Sequence, residues 1–108
     1  MKMTETQLVA ACLEMLSVYR IFGWRNNSGA FKTESGGFYR FGAKGSPDIL
    51  AICNGKFIGI ECKVGHNKLS PAQVDFQRRV EAAGGNYWLV YSLDDLEKYV
   101  NPMVRQRR

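Results

Sequence analysis

The sequence predicts an α/β domain, a mixed β-sheet flanked by helices, and three observations carry that prediction. Thr4-Glu5-Thr6-Gln7 and Ser70-Pro71-Ala72-Gln73 each read as a capping box ahead of apolar residues at helical spacing. Two short apolar runs, residues 48–53 and 56–63, lie on either side of Asn54-Gly55, the strongest short-range signal for a two-residue hairpin turn. A run rich in aromatic and branched residues, 86–91, follows the second helix. The resulting order is helix, three or four strands, helix, strand, helix, which suits helices packed on a sheet.

The first helix runs from its cap at Thr4 to about Tyr19, with Leu8, Val9, Cys12, Leu13 and Leu16 as its apolar stripe. Glu5 lies one turn before that stripe, on the inward side, whereas Glu14 falls on the opposite face. Residues 21–25 read as a strand and 26–29 as a polar turn. Residues 30–33 and 38–41 flank Glu34-Ser35-Gly36-Gly37 and read as a second hairpin in which basic and aromatic residues interleave. Residues 42–46 form a flexible approach to Pro47, which is tolerated at the head of a strand.

A tight turn at Asn54-Gly55 fixes the register of the central hairpin. Cys53 faces Lys56, Leu50 faces Gly59 and Asp48 faces Glu61. Side chains alternate along each strand, so Asp48, Glu61 and Lys63 share one face. Gly59, opposite Leu50, leaves space there. Ile49, Ala51, Ile58, Ile60 and Cys62 line the other face. Both faces are largely apolar, which predicts a central position covered by helices on both sides. After a loop at 64–69, the Ser70 helix runs to about Ala83, with Ala72, Phe76, Val80 and Ala83 as its stripe and Gly84-Gly85 as its stop. Ser92 caps a short last helix, from Leu93 to about Val100, with Asp94 and Asp95 in its first turn. Residues 101–108 read as a frayed basic tail.

At 108 residues, with 45% hydrophobic and 23% charged residues, the chain is one soluble globular domain spanning 1–108. No apolar run is long enough for a membrane helix, and the start has no signal-peptide pattern, so a cytoplasmic protein is expected. Three cysteines without Cys-x-x-Cys spacing make neither a disulfide framework nor a zinc site; Cys12, Cys53 and Cys62 read as buried free thiols. The net charge of +5 permits nucleic-acid binding. Its distribution is more informative, because Arg25, Lys32, Arg40 and Lys44 stand against Glu34 alone over residues 25–44. Those cations, with Lys68 in the later loop and Asn26 at the polar turn, are the candidate DNA contacts. The alternative is a solvated basic face, with Phe31, Phe38 and Phe41 as core or dimer contacts. His66, the only histidine, is read as a surface residue of the loop.

Two carboxylates facing each other at the end of an apolar hairpin repel, so either one keeps a proton or a cation lies between them. A hard divalent ion such as Mg²⁺ suits carboxylate and carbonyl oxygens. Lys63 adds a positive charge on the same face. An ion and an amine together are the equipment for hydrolysing a phosphodiester.

The pattern Pro47-Asp48, then Glu61-Cys62-Lys63, resembles the PD-(D/E)xK nuclease superfamily. Phe41-Gly42 and Lys44-Gly45-Ser46-Pro47-Asp48-Ile49-Leu50 before the hairpin, Leu69-Ser70-Pro71-Ala72-Gln73 after it, and Ala82-Ala83-Gly84-Gly85 later narrow the likeness. It is to the VRR-NUC (virus-type replication-repair nuclease) family and its stand-alone phage-type members, over residues 4–96. The resemblance implies a restriction-endonuclease-like core, Mg²⁺ with Mn²⁺ able to replace it, a bacterial or phage-infected cell, and a homodimer acting on branched DNA of the four-way-junction type. It matches Glu5 to a glutamate near the start of the first helix and Gln73 to a glutamine beside the active site. Glu5 as a metal ligand competes with Glu5 as a helix-dipole partner. Gln73 orienting Lys63 or water competes with Gln73 as the cap of Ser70.

The expected activity is that of a divalent-metal-dependent DNA endonuclease. Asp48, Glu61 and the main-chain carbonyl of Cys62, with Glu5 as a further candidate, hold the ion, and Lys63 assists the attacking water. No Ser or Tyr has an adjacent base, so a covalent intermediate is not expected. Cutting both strands with one small site requires two copies. A non-catalytic DNA-binding module of the same fold and a restriction-type nuclease are the alternatives.

Overall fold

The computed structural model describes residues 2–107. In chain order its elements are α1 (Glu5–Val18), β1 (Phe22–Arg25), β2 (Gly29–Lys32), β3 (Phe38–Phe41), β4 (Ile49–Cys53), β5 (Lys56–Cys62), α2 (Pro71–Ala82), β6 (Asn86–Val90) and α3 (Leu93–Arg105). Five strands, rather than three or four, precede α2. The second hairpin expected over residues 30–33 and 38–41 forms as β2–β3, its own two-stranded sheet beside a four-stranded sheet of order β1-β4-β5-β6.

Asn54 and Gly55 have φ of 55° and 76°, the paired left-handed values of a type I′ turn. The predicted register follows from it: Cys53 pairs with Lys56, Leu50 with Gly59 and Ile49 with Ile60. β1 joins β4 antiparallel, and β6 joins β5 parallel after the α2 crossover, so the sheet is mixed.

The core lies on one face of this sheet. Leu8, Val9, Cys12 and Leu16 of α1 and Leu96 and Val100 of α3 close over Ile49, Ala51, Ile58, Ile60 and Cys62. Burial of each Leu, Ile and Val among these is worth about 1.5–3 kcal/mol relative to exposure. Cys12, Cys53 and Cys62 are free and buried.

The other face also carries a helix, as expected, but its cover is partial. α2 packs mainly against β6, has no fully buried residue, and leaves Phe22, Trp24 and Ile52 exposed. A 12-residue helix does not roof four twisted strands. The segment before Pro47 is also not a loose approach. At Gly45 (φ +78°) an added Cβ would fall 2.4 Å from the Ala72 carbonyl oxygen, so this loop is seated on the start of α2.

α3 continues to Arg105 rather than ending near Val100, with Pro102 inside it. Met103 and Val104 extend the stripe of Leu96 and Val100 onto the core, and that packing offsets the few kcal/mol that an interior proline costs. Most of the expected frayed tail is therefore helical, and the Arg107 guanidinium donates to the Tyr19 carbonyl. Arg108 lies outside the described residues. Among the described residues no helix is long and apolar enough to cross a membrane.

Candidate active site

Asp48 immediately precedes β4 and Glu61 is the penultimate residue of β5. The hairpin register sets them opposite each other, as the turn predicted. Asp48 is held from two directions. Its Oδ2 accepts the Cys62 backbone N–H at 2.9 Å, and its carbonyl accepts the Asn26 N–H at 2.8 Å. Asn26 also donates through Nδ2 to Ser46 Oγ at 2.7 Å and to the Pro47 carbonyl at 2.9 Å. The side chain of Asn26, expected at the DNA surface, thus pins the segment that carries Asp48.

Gly59 does not leave open space on this face. The Pro47 ring fills it, and a Cβ at Gly59 would fall 2.8 Å from Pro47 Cγ. Gly59 is what lets the Pro47-Asp48 corner lie flat on β5.

Glu61 is 3% exposed. Its Oε2 accepts from Gln73 Nε2 at 3.1 Å and lies 3.7 Å from Lys63 Nζ, whereas Oε1 is buried without a partner. Burial first, and then the charge of Asp48, push the Glu61 carboxyl up from 4.5 to about 8, against the opposing pull of Lys63. Repulsion between the two acids is thus met by a retained proton near neutral pH, and a cation would take that proton's place.

Gln73 keeps its capping role, but its other amide end meets Glu61 rather than Lys63. Oε1 accepts the Ser70 N–H at 2.8 Å and closes the capping box, while Nε2 reaches Glu61. The helix cap is therefore also the orienting contact of the buried carboxylate. Cys62 serves this face only through its main chain. Its thiol points to the core, 4.0 Å from the Cys12 sulfur, and that contact together with burial raises its pKa.

Glu5 is half-buried in the first turn of α1 and accepts from Asn67 Nδ2 at 3.3 Å. It is near enough to add a small upward push on the Glu61 carboxyl. Among the described residues, no three His, Cys, Asp or Glu side chains gather as a metal-ligand group. The donors that fit a hard cation are accordingly few: Asp48, the unpartnered oxygen of Glu61, and main-chain carbonyl oxygen. A protonated Glu61 shares its proton with the Asp48 side chain; with both acids ionised the buried Oε1 has no partner, and a bound ion would satisfy it.

Two neighbours escaped the sequence reading. Tyr87 pairs with Gly59 across the parallel β5–β6 ladder, which puts it on the Glu61 face. Its hydroxyl is buried without a partner, and burial, then the charges of Glu61 and Asp48, raise its pKa. Asn67 ties the loop after Lys63 to Glu5, and its carbonyl accepts the Tyr91 hydroxyl at 2.6 Å. Neither has a local signal, since both depend on the register across the α2 crossover and on how the loop folds back.

Arg25, Lys32, Arg40, Lys44 and Lys68 are all exposed, and none forms an ion pair among the described residues. Arg25 ends β1 next to Asn26. Lys32 and Arg40 lie on the β2–β3 hairpin, and Lys44 on the loop leading to Pro47. Lys68 and His66 lie in the exposed loop between β5 and α2. No protein-family model matches the chain, and no curated protein matches it.

Proposed function

We propose that this protein is a divalent-metal-dependent DNA endonuclease of the VRR-NUC kind within the PD-(D/E)xK superfamily, selective for branched DNA. One observation carries the reading: a buried glutamate with a free oxygen stands opposite a second carboxylate, with a lysine beside it. A pure binding module has no use for paired acids that repel phosphate. The unpaired cations around the Asp48 segment supply the attraction for a polyanion.

In this reading Asp48, Glu61 and the Cys62 carbonyl hold Mg²⁺ or Mn²⁺, with Glu5 available nearby. The ion, when bound, supplies Lewis-acid polarisation of the phosphate and a water of lowered pKa. The chain's own groups do the rest. Glu61 gives up its proton as the ion enters. Gln73 keeps the Glu61 carboxylate in one orientation. Lys63 adds positive charge where negative charge builds on the phosphate. Water adds at phosphorus and the phosphodiester P–O bond breaks, its oxygen leaving with a proton. Two strands are cut by two copies, so the working form is a homodimer, in the cytoplasm of a bacterial or phage-infected cell.

The test is cleavage of a four-way junction and of a matched linear duplex with Mg²⁺, using Asp48→Ala and Lys63→Ala as controls. Junction cleavage lost in both variants is expected. Cleavage that persists in both overturns the site. Calorimetric titration with Mn²⁺ separates an enzyme from a DNA-binding module, because only the enzyme has an ion site that Asp48→Ala removes.

A further inference from the structure

The β2–β3 hairpin has two unlike faces. Its register pairs Phe31 with Tyr39 and Gly29 with Phe41, so Phe31, Tyr39 and Phe41 share one side. Their rings lie against each other, with centroids 5.3 Å apart for Phe31–Tyr39 and 6.4 Å for Phe31–Phe41. They do not enter the core, and remain 53%, 56% and 40% exposed in chain order. The other side carries Lys32, Arg40 and Phe38, the last 77% exposed. Neither cation is ion-paired among the described residues, and Glu34 at the tip is the sole acid between Asn26 and Asp48.

The hairpin is anchored beside the acid pair. Asn26, bonded to the Pro47 and Asp48 carbonyls, is three residues from Gly29, at most about 10 Å of extended chain. Phe31 is five residues from Asn26, at most about 17 Å of extended chain, so the rings lie within the span of a few nucleotides of a strand whose phosphate is at Asp48 and Glu61.

We propose that this ribbon is a wedge entering DNA where its strands part, stacking unpaired bases on Phe31, Tyr39 and Phe41 and holding phosphates with Lys32 and Arg40. The inference rests on the nucleic-acid reading above and names the substrate class within it: DNA with unpaired bases next to a duplex. Bases stack on aromatic rings whatever their identity. In an intact duplex, inserting apolar side chains means unstacking a base step; at a fork or branch that cost is already met. Selectivity for branches then needs no base-edge contact. A second copy of the chain fits this side less well. The open ring surface is roughly 300 Å², far below the about 800 Å² per partner of a stable interface, and an identical ribbon offers Lys32 and Arg40 a single acid, Glu34, against its own two cations.

The test uses binding without metal, in EDTA, so that it is independent of cleavage. Fluorescence anisotropy compares a forked duplex with two unpaired arms against a blunt duplex, and 2-aminopurine placed beside the fork reports stacking. The full chain is expected to prefer the fork by about tenfold or more, since one base stacked on an aromatic ring is worth about 5- to 150-fold. The double variant Phe31→Leu, Tyr39→Leu keeps an apolar surface but removes stacking. It should lose the fork preference and the 2-aminopurine quench while binding blunt duplex as before. Lys32→Gln with Arg40→Gln should weaken both DNAs. Should the double variant melt early, Tyr39→Leu alone gives the same 2-aminopurine readout.

Equal losses on both DNAs, an unchanged quench, or a shift in sedimentation of the DNA-free leucine variant would overturn the wedge. A chain that prefers forks in EDTA yet cuts nothing with Mg²⁺ would overturn only the nuclease reading.

Discussion

Glu61 holds its proton more tightly in the folded chain than in the unfolded one, because burial and Asp48 both favour the neutral acid. The sign of the pH effect follows. Between 4.5 and about 8 the unfolded chain has released this proton and the folded chain still holds it, so unfolding free energy falls as pH rises through that window. The stability is fully present below the unfolded value and gone above about 8. Urea midpoints at pH 5, 7 and 9 should therefore decline for the native chain and stay flatter for Glu61→Gln. Saturating Mg²⁺ should reverse the decline in the native chain alone. Asp48→Asn removes the second cause and should move the Glu61 titration down, as read by carboxyl NMR. The facing of Asp48 and Glu61 was legible in the sequence, because Asn54-Gly55 admits one register. The contacts of Tyr87 and Asn67 were not, since no local spacing encodes a parallel crossover.

Among the elements, α2 links fold to chemistry through one side chain. Gln73→Glu preserves the capping acceptor for Ser70 N–H but replaces the donor that meets Glu61 with a second carboxylate. Helix content by circular dichroism should hold, while the Glu61 titration rises. Ser70→Ala does the converse, costing about 1 kcal/mol of stability through the lost cap with a smaller change at the carboxylate. At the strand crossing, Gly59→Ala pushes a methyl into the Pro47 ring. Overpacking of this kind costs about 1–3 kcal/mol, and here it also displaces Asp48, so thermal stability and activity should fall together. Both capping boxes could be read directly, because their partners are three residues apart. The continuation of α3 past Pro102 could not, because it depends on Met103 and Val104 finding the core rather than on helix propensity.

For the whole molecule, charge is the quantity that reads out most simply. Arg25, Lys32, Arg40, Lys44 and Lys68 are exposed on the strand ends, the hairpin and the loops around the acid pair. Each phosphate neutralised steepens the salt dependence of duplex affinity by about 0.9 in the log–log slope. Replacing any one of these cations with Gln should flatten it by about one such step, whatever the DNA sequence. The basic stretch was visible from composition. That part of one sheet face would stay bare was not, because burial depends on which element lies across the strand, and an all-apolar run such as Ile49–Cys53 looks the same covered or uncovered.

One bond in the acid pair bears on ion choice. The peptide N–H of Cys62 has already claimed one oxygen of Asp48, so that side chain is poorly placed to grip an ion with both arms. In the proposed reading, with so few protein donors, solvent molecules would complete the coordination sphere of a bound ion. Magnesium commonly binds in this way, retaining several waters, whereas calcium gathers about six to eight oxygens and favours two-armed carboxylates. Calcium should thus be a poor occupant, and an excess of it should leave magnesium-supported turnover nearly untouched.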